Sequence, residues 1–200
     1  MTSAAQSGAT AQSAQTDSPR KRELLAAAYG YALANGLADF SLRPLAKAIG
    51  TSPRVLLFLF GSKDGLTRAL LARAREDELA ALAALRADRP QAGLADAGRE
   101  VWAWLVAPPH RALLTLWLEG YARSLLGESG PWQRFAAQTV DDWLALLADR
   151  QPAGTRRTEA AEADRTLLLA VLRGALLDVL ATGDADRVTR AVERYLDTCA

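Results

Sequence analysis

The chain has 200 residues, half of them apolar, with a formal net charge of +1. That is enough chain for one sizeable core or a small domain fused to a larger one. The single cysteine, Cys199, and single histidine, His110, exclude a disulfide framework and any metal site built from several Cys or His of one chain. The apolar residues are mostly Leu and Ala, which favour helices, while Val and Ile are few. An all-α protein follows, with no cofactor and no metal. The N-terminus lacks the basic start and apolar stretch of a signal peptide. The apolar stretch Leu167 to Ala181 is broken by Arg173 and Asp178 and is too short to span a bilayer. A cytoplasmic location without membrane contact is the expectation.

Charge is unevenly distributed. Residues 1–70 hold eight Lys/Arg and four acids, a balance of +4, and the remainder carries −3. A basic head on an acidic body points weakly to a polyanion partner.

Residues 1–17 are Ala, Gln, Ser, Thr and Gly with one acid, and read as a disordered tail. Ser18-Pro19 reads as an N-cap with Pro at the first helical position, and the helix runs to about residue 34, stopped by Asn35-Gly36. Ser41 caps a helix over 42–49 that Gly50 ends. Ser52-Pro53 starts a short helix to about 59. Gly61-Ser62 breaks it, and Ser62 caps a further helix from Lys63. These short helices form a compact head over 18–65. The body, 66–200, continues with a long amphipathic pattern over 66–85, an interruption at 90–93, and helices over about 94–106, 110–126 and 131–149. A polar loop over 150–157, a long helix from Thr158 to Ala181 and a last helix over 186–196 complete about nine or ten helices.

Within the head, Ala46 is the small residue at which a second helix can pack. Gly50, four residues later, supplies the turn, and Leu45, Ile49, Leu56 and Leu59 fill the angle. An ordinary helical hairpin shares that spacing. The stretch from Phe40 to Leu66, ending in Phe60-Gly61-Ser62-Lys63, resembles the DNA-binding segment of the tetracycline-repressor (TetR) family over roughly residues 19–70. The resemblance implies a helix-turn-helix head joined to a helical body that dimerises and senses ligand. The chain departs from the family at Leu57-Phe58-Leu59, where many members carry the Tyr and His that touch phosphate. Some phosphate contacts made there in relatives are therefore missing from this chain or come from elsewhere in it, which bears on affinity more than on function.

The residues expected at DNA follow. Arg20, Lys21 and Arg22 crowd a helix N-terminus against the dipole, which costs some tenths of a kcal/mol each and suggests phosphate binding. Ser41 and Arg43 open the first helix of the motif, where backbone N–H groups can cradle phosphate. Thr51, Ser52 and Arg54 open the recognition helix, with Arg54 the reader of a guanine O6 and N7. Phe58 lies further along that helix, and Lys63 grips the backbone.

In the body, residues 165–181 are apolar nearly all round, so the helix is covered on more than one side. A core helix of a monomer and a dimer helix both satisfy that. The resemblance implies that this helix and the one over 131–149 form a four-helix bundle between two subunits, through Leu168, Leu169, Leu172, Ala175, Leu176 and Val179. All five tryptophans lie in the body. Trp104, Trp117, Tyr121, Phe135 and Trp143, with His110, are the candidate lining of a pocket for a flat apolar effector, although each one singly is as well explained as core.

Enzyme motifs are lacking: the sequence has no nucleophile elbow, phosphate loop or Cys/His pair. Asp141 and Asp142 are adjacent on a helix, so they point about 100° apart. The expectation is a homodimeric transcription regulator, a repressor released from a palindromic double-stranded operator by a small molecule. The alternative is a helical ligand-binding dimer whose DNA head has lost operator affinity, which Leu57 and Leu59 favour.

Overall fold

A computed structural model describes residues 18–88, 93–127 and 130–199. The expected disordered tail over 1–17 and most of the interruption at 90–93 lie outside the described residues. Among the described residues there are nine α-helices and no strand. They are α1 (Pro19–Asn35), α2 (Leu42–Ala48), α3 (Pro53–Phe60), α4 (Lys63–Asp88), α5 (Gly93–Val106), α6 (Arg111–Leu125), α7 (Phe135–Ala148), α8 (Glu159–Thr182) and α9 (Ala185–Leu196). Short 3-10 turns cover Pro108–His110 and Asp197–Cys199. No helix among the described residues is long and apolar enough to cross a membrane.

Side-chain caps set most of the boundaries. Ser18, Ser52 and Thr158 accept the backbone N–H three residues on, from Lys21, Val55 and Ala161, and Ser62 accepts from Gly65. Ser41 is the exception: it occupies the N-cap of α2, yet its hydroxyl makes no cap bond. The helix expected over 131–149 starts later. Residues 131–134 form a turn, and Arg134 takes a left-handed φ of 65° before α7.

In the head, α1, α2 and α3 pack on one another and on the first turns of α4. Leu45, Ala46 and Leu56 are buried in the angle of the motif, with Ile49 and Leu59 half-buried beside them. The turn closes as a Schellman motif: Thr51 N–H donates to Ala46 C=O and Gly50 N–H to Lys47 C=O. Gly50 has φ 67°.

The body packs α5, α8 and α9 into one layer and α6 and α7 into another, with α4 running from the head into both. A second junction joins head to body. α1 packs on α6, and the loop after α1 is held by α6 side chains. Glu119 accepts the Leu37 N–H through Oε2, and Arg123 Nη2 donates to the Ala38 carbonyl. The same carboxylate lies against Gly36, where an added Cβ would stand 2.6 Å from Glu119 Oε1.

Two glycine substitutions probe how the loop seats on α6. Gly36 and Gly50 both have positive φ, and Gly36, with ψ −175°, lies in a region that essentially only glycine adopts, so alanine strains the backbone at both and more at Gly36. Around Gly50 nothing stands within 4 Å of an added Cβ, whereas at Gly36 the carboxylate is in the way. Urea denaturation should therefore show Gly36→Ala costing clearly more than Gly50→Ala. Pairing Gly36→Ala with Glu119→Ala should remove the steric part of the excess and leave the backbone part. Equal losses for the two glycines would mean that the loop does not seat tightly on α6.

Candidate functional site

Two regions bring together the residues singled out in the sequence. The first is the outer surface of the head. Arg20, Arg22, Ser41, Arg43, Ser52, Arg54, Phe58 and Lys63 are exposed, and Lys21 and Thr51 are half-buried. Several cations are already engaged. Arg20 pairs with Glu23 at 2.8 Å, the Lys21 ammonium sits 5.5 Å from the centre of the Phe60 ring, and Lys63 sits 6.0 Å from that of Phe40. These contacts hold the basic side chains along the seam between α1 and the motif. The outer side of α3 is polar only at its start, through Thr51, Ser52 and Arg54. Beyond Arg54 it is apolar, with Val55, Leu57 and, at 71% exposed, Phe58.

The second region is the interior of the body. Trp117 and Trp143 line a cavity between α4, α5, α6, α7 and α8, with Leu105, Leu114, Leu169, Leu172 and Leu176. The cavity is small, about 10 Å³, roughly room for one water. Tyr121 stacks on Trp117 at 4.8 Å.

Three of the expected pocket residues sit elsewhere. Trp104 and His110 stack on each other at 4.4 Å, and His110 Nδ1 bonds the Trp104 carbonyl at 2.7 Å, so its Nδ1 carries the proton. The two close the corner between α5 and α6. Phe135 packs into the hollow at Gly120, where an added Cβ would lie 3.1 Å from its ring.

Two charged residues complete the cavity, and the sequence reading passed over both in this role. Glu78 of α4 is buried, and Trp143 Nε1–H donates to its Oε1 at 2.8 Å. Burial pushes its carboxyl up to about 7, against the opposing hydrogen bond from Trp143 and the nearby Arg173 charge. Arg173 of α8 lies over the rings of Tyr121 and Trp117, 5.3 and 6.0 Å from their centres, and donates to the Tyr121 hydroxyl at 3.3 Å. Burial pulls its guanidinium below the ordinary arginine range. Its Nη2 and the Trp117 Nε1 are buried with no hydrogen-bond partner. Beside the cavity, Arg75 clamps Asp142 with both Nε and Nη2, tying α4 to α7, while Asp141 is exposed.

The residues expected to face a second subunit divide differently. Leu168, Leu169, Leu172, Leu176 and Val179 are buried within the chain's own core, and Ala175 is half-buried. The outward side of α8 carries Ala160, Ala163, Leu167, Ala170, Gly174, Leu177 and Ala181, all exposed and spaced alternately three and four residues apart. That is the spacing of a helix–helix seam.

No family model and no curated protein matches the chain. Solved structures do. A TetR transcriptional regulator from Legionella pneumophila is similar over 92% of this chain and 98% of its own, with TM-score 0.71 and 17% identity. The multidrug-binding protein EbrR complexed with imidazole is similar over 91% and 92%, with TM-score 0.64 and 26% identity. EbrR complexed with proflavin gives 88% and 99%, with TM-score 0.62 and 25% identity. Over about nine-tenths of its length the chain has the fold of TetR regulators, in agreement with the resemblance carried by residues 19–70.

Glu78 generates a pH prediction. Its folded-state value of about 7 lies above the ordinary 4.5, so between those limits the unfolded chain releases a proton that the folded chain keeps. Stability falls as pH rises through that window and is level again above it. The loss is roughly 3 kcal/mol by linkage. Glu78→Gln keeps an acceptor for Trp143 and should lack this loss. Urea midpoints at fixed protein concentration, from pH 4.5 to 8, should bring the two proteins together at the acid end and separate them at the alkaline end. Parallel curves would place the Glu78 carboxyl in water.

Proposed function

We propose that the chain is a DNA-binding transcription regulator. It acts as a homodimer on a palindromic operator and is released by a small molecule bound in the body. The observation that carries the reading is the head: a Schellman-closed helix-turn-helix with an exposed α3, flanked by Arg20, Arg22, Arg43, Arg54 and Lys63. The fold shared with TetR regulators, and with a protein whose title records multidrug binding, supports both halves. Binding and release, with no chemical step, need no catalytic group.

The apolar end of α3 suits a specific form of readout. Val55, Leu57 and Phe58 can donate nothing to a base edge, but thymine presents a methyl group in the major groove. Arg54, one turn before Phe58, offers a fork to guanine. In this reading the half-site contains guanine beside thymine. The rival, a head that no longer binds DNA, leaves the same apolar surface without an occupant.

For the dimer, the exposed seam of α8 is the proposed contact, joined by the outer side of α7. Leu172→Arg would put a charge into the chain's own core and unfold it, so Leu177→Arg is the discriminating variant. Sedimentation should show a shift to monomer with the helical circular dichroism intact. A dimer of undiminished stability would move the interface away from α8.

For DNA, selection from random duplexes should yield a palindrome whose half-sites lie about one helical turn, roughly 34 Å, apart. Arg54→Ala should lose on the order of 1–3 kcal/mol on that operator and much less on random DNA. Replacing operator thymines with deoxyuridine should weaken the parent protein and leave Phe58→Ala unaffected. Binding to random DNA should fall steeply with salt. A flat salt response would establish the rival reading.

A further inference from the structure

A ligand that fits the body cavity must satisfy what the cavity leaves unsatisfied. Buried donors and acceptors in folded proteins are almost always paired, and a buried charge is normally neutralised by a partner. Among the described residues, Arg173 makes no ion pair, and its one hydrogen bond is to the Tyr121 hydroxyl. Its Nη2 has no partner. Trp117 is 6% exposed, lines the same cavity and leaves its Nε1–H unpaired. The contrast within the same core is clear: Arg75 has Asp142 and Arg150 has Glu100, each in direct contact. Glu78 shares the cavity but already accepts from Trp143.

We infer that the effector carries an acceptor-rich, negatively charged group, of carboxylate type, on an aromatic or apolar body, and that Arg173 and Trp117 bind that group together. This inference rests on the reading of the body as the sensing half. A carboxylate has two oxygens, and here two donors from helices that line one cavity, Trp117 on α6 and Arg173 on α8, have nitrogens without partners. The Trp117, Tyr121 and Trp143 rings and the surrounding leucines accept the apolar part. Burial raises the Glu78 carboxyl above the ordinary carboxylate range, so it opposes an incoming anion less than an exposed carboxylate would, and its Oε1 is already held by the Trp143 N–H. With room for roughly one water at present, entry of the ligand parts the lining, and the push falls on α6, which carries both Trp117 and Tyr121.

The test uses three probes of one shape: benzoate, benzyl alcohol and benzylammonium, titrated into the full chain by calorimetry and followed by tryptophan fluorescence. Benzoate should bind tightest, by roughly tenfold or more over the alcohol, the range of a charge-assisted hydrogen bond. Arg173→Met should erase that preference, and Arg173→Lys should keep part of it. Trp117→Phe, which removes the N–H and shortens a ring that lines the cavity, should weaken benzoate more than the alcohol and so narrow the preference, read by calorimetry. It serves as the second variant should Arg173→Met fold poorly. Benzylammonium or the alcohol binding as well as benzoate would overturn the inference while leaving the sensing reading intact. So would benzoate preference surviving in Arg173→Met, or no benzoate binding at millimolar concentration. Benzoate binding that leaves operator affinity unchanged would keep the acid site and overturn the sensing reading instead.

Discussion

The junction between the loop after α1 and the helix α6 constrains everything else in this molecule. A helix-turn-helix attached only by the continuation of α4 would pivot about a single rod. Here Glu119 holds the Leu37 N–H, Arg123 holds the Ala38 carbonyl, and Gly36 is bare so that the carboxylate can come close. Those two side chains alternate along α6 with Trp117, which lines the cavity with Arg173, and Tyr121, which stacks on Trp117 and lies under Arg173. One helix thus presents the head with hydrogen bonds and the cavity with rings. An α-helix is stiff over so short a distance, so displacing the rings displaces the carboxylate that positions the head.

The polar interior of the body makes sense in those terms. Replacing a buried ion pair by apolar side chains is often neutral or stabilising, so charges in a core are poor evidence of a demand for stability. Arg75 with Asp142 and Arg150 with Glu100 at least meet their partners and fix the position of α7 against α4 and α5. Glu78 and Arg173 do not form such a pair. Burial raises the carboxyl of the one and lowers the guanidinium of the other, they feel each other's charge without a direct contact among the described residues, and both line the same small space. A core optimised for packing would carry leucine at each position, as the residues around them show.

What the sequence made legible follows the range of the interactions involved. Caps and turns are decided within four residues, so Ser18, Ser52, Ser62, Thr158, Gly50 and Gly61 could be read directly. Ser41, whose hydroxyl makes no cap bond, and the turn at 131–134, which Arg134 closes at positive φ, show the limit of that local logic. Facing is a longer-range property. α8 is apolar nearly all round, with one stripe at Leu168, Leu172, Leu176 and Val179 and another at Leu167, Ala170, Gly174 and Leu177. Periodicity alone cannot say which stripe belongs to the chain's own core. Aromatic residues were equally ambiguous: Trp104 with His110 and Phe135 with Gly120 serve packing, while Trp117 and Trp143 line the cavity. The signal that could have separated them was charge. Glu78 continues the buried face of α4 after Leu71 and Ala74, and Arg173 interrupts an apolar run. A charged residue at a core position marks a functional interior more sharply than a cluster of rings does.

The placement of Arg173 gives α8 a part beyond forming one wall. Its neighbour in sequence, Gly174, is exposed on the outward seam, with open space where a Cβ would be. In the proposed dimer, the residue proposed to meet the effector therefore adjoins the α8 seam. A ligand anchored on Arg173 would push α6 on one side and bear on the seam on the other. Both movements change the same quantity, the spacing of the two recognition helices. The first turns each head on its body, and the second turns one body against the other. A palindrome must be met at both half-sites together, so small displacements that act in concert are sufficient, and neither has to be large enough to disturb the well-packed core between them.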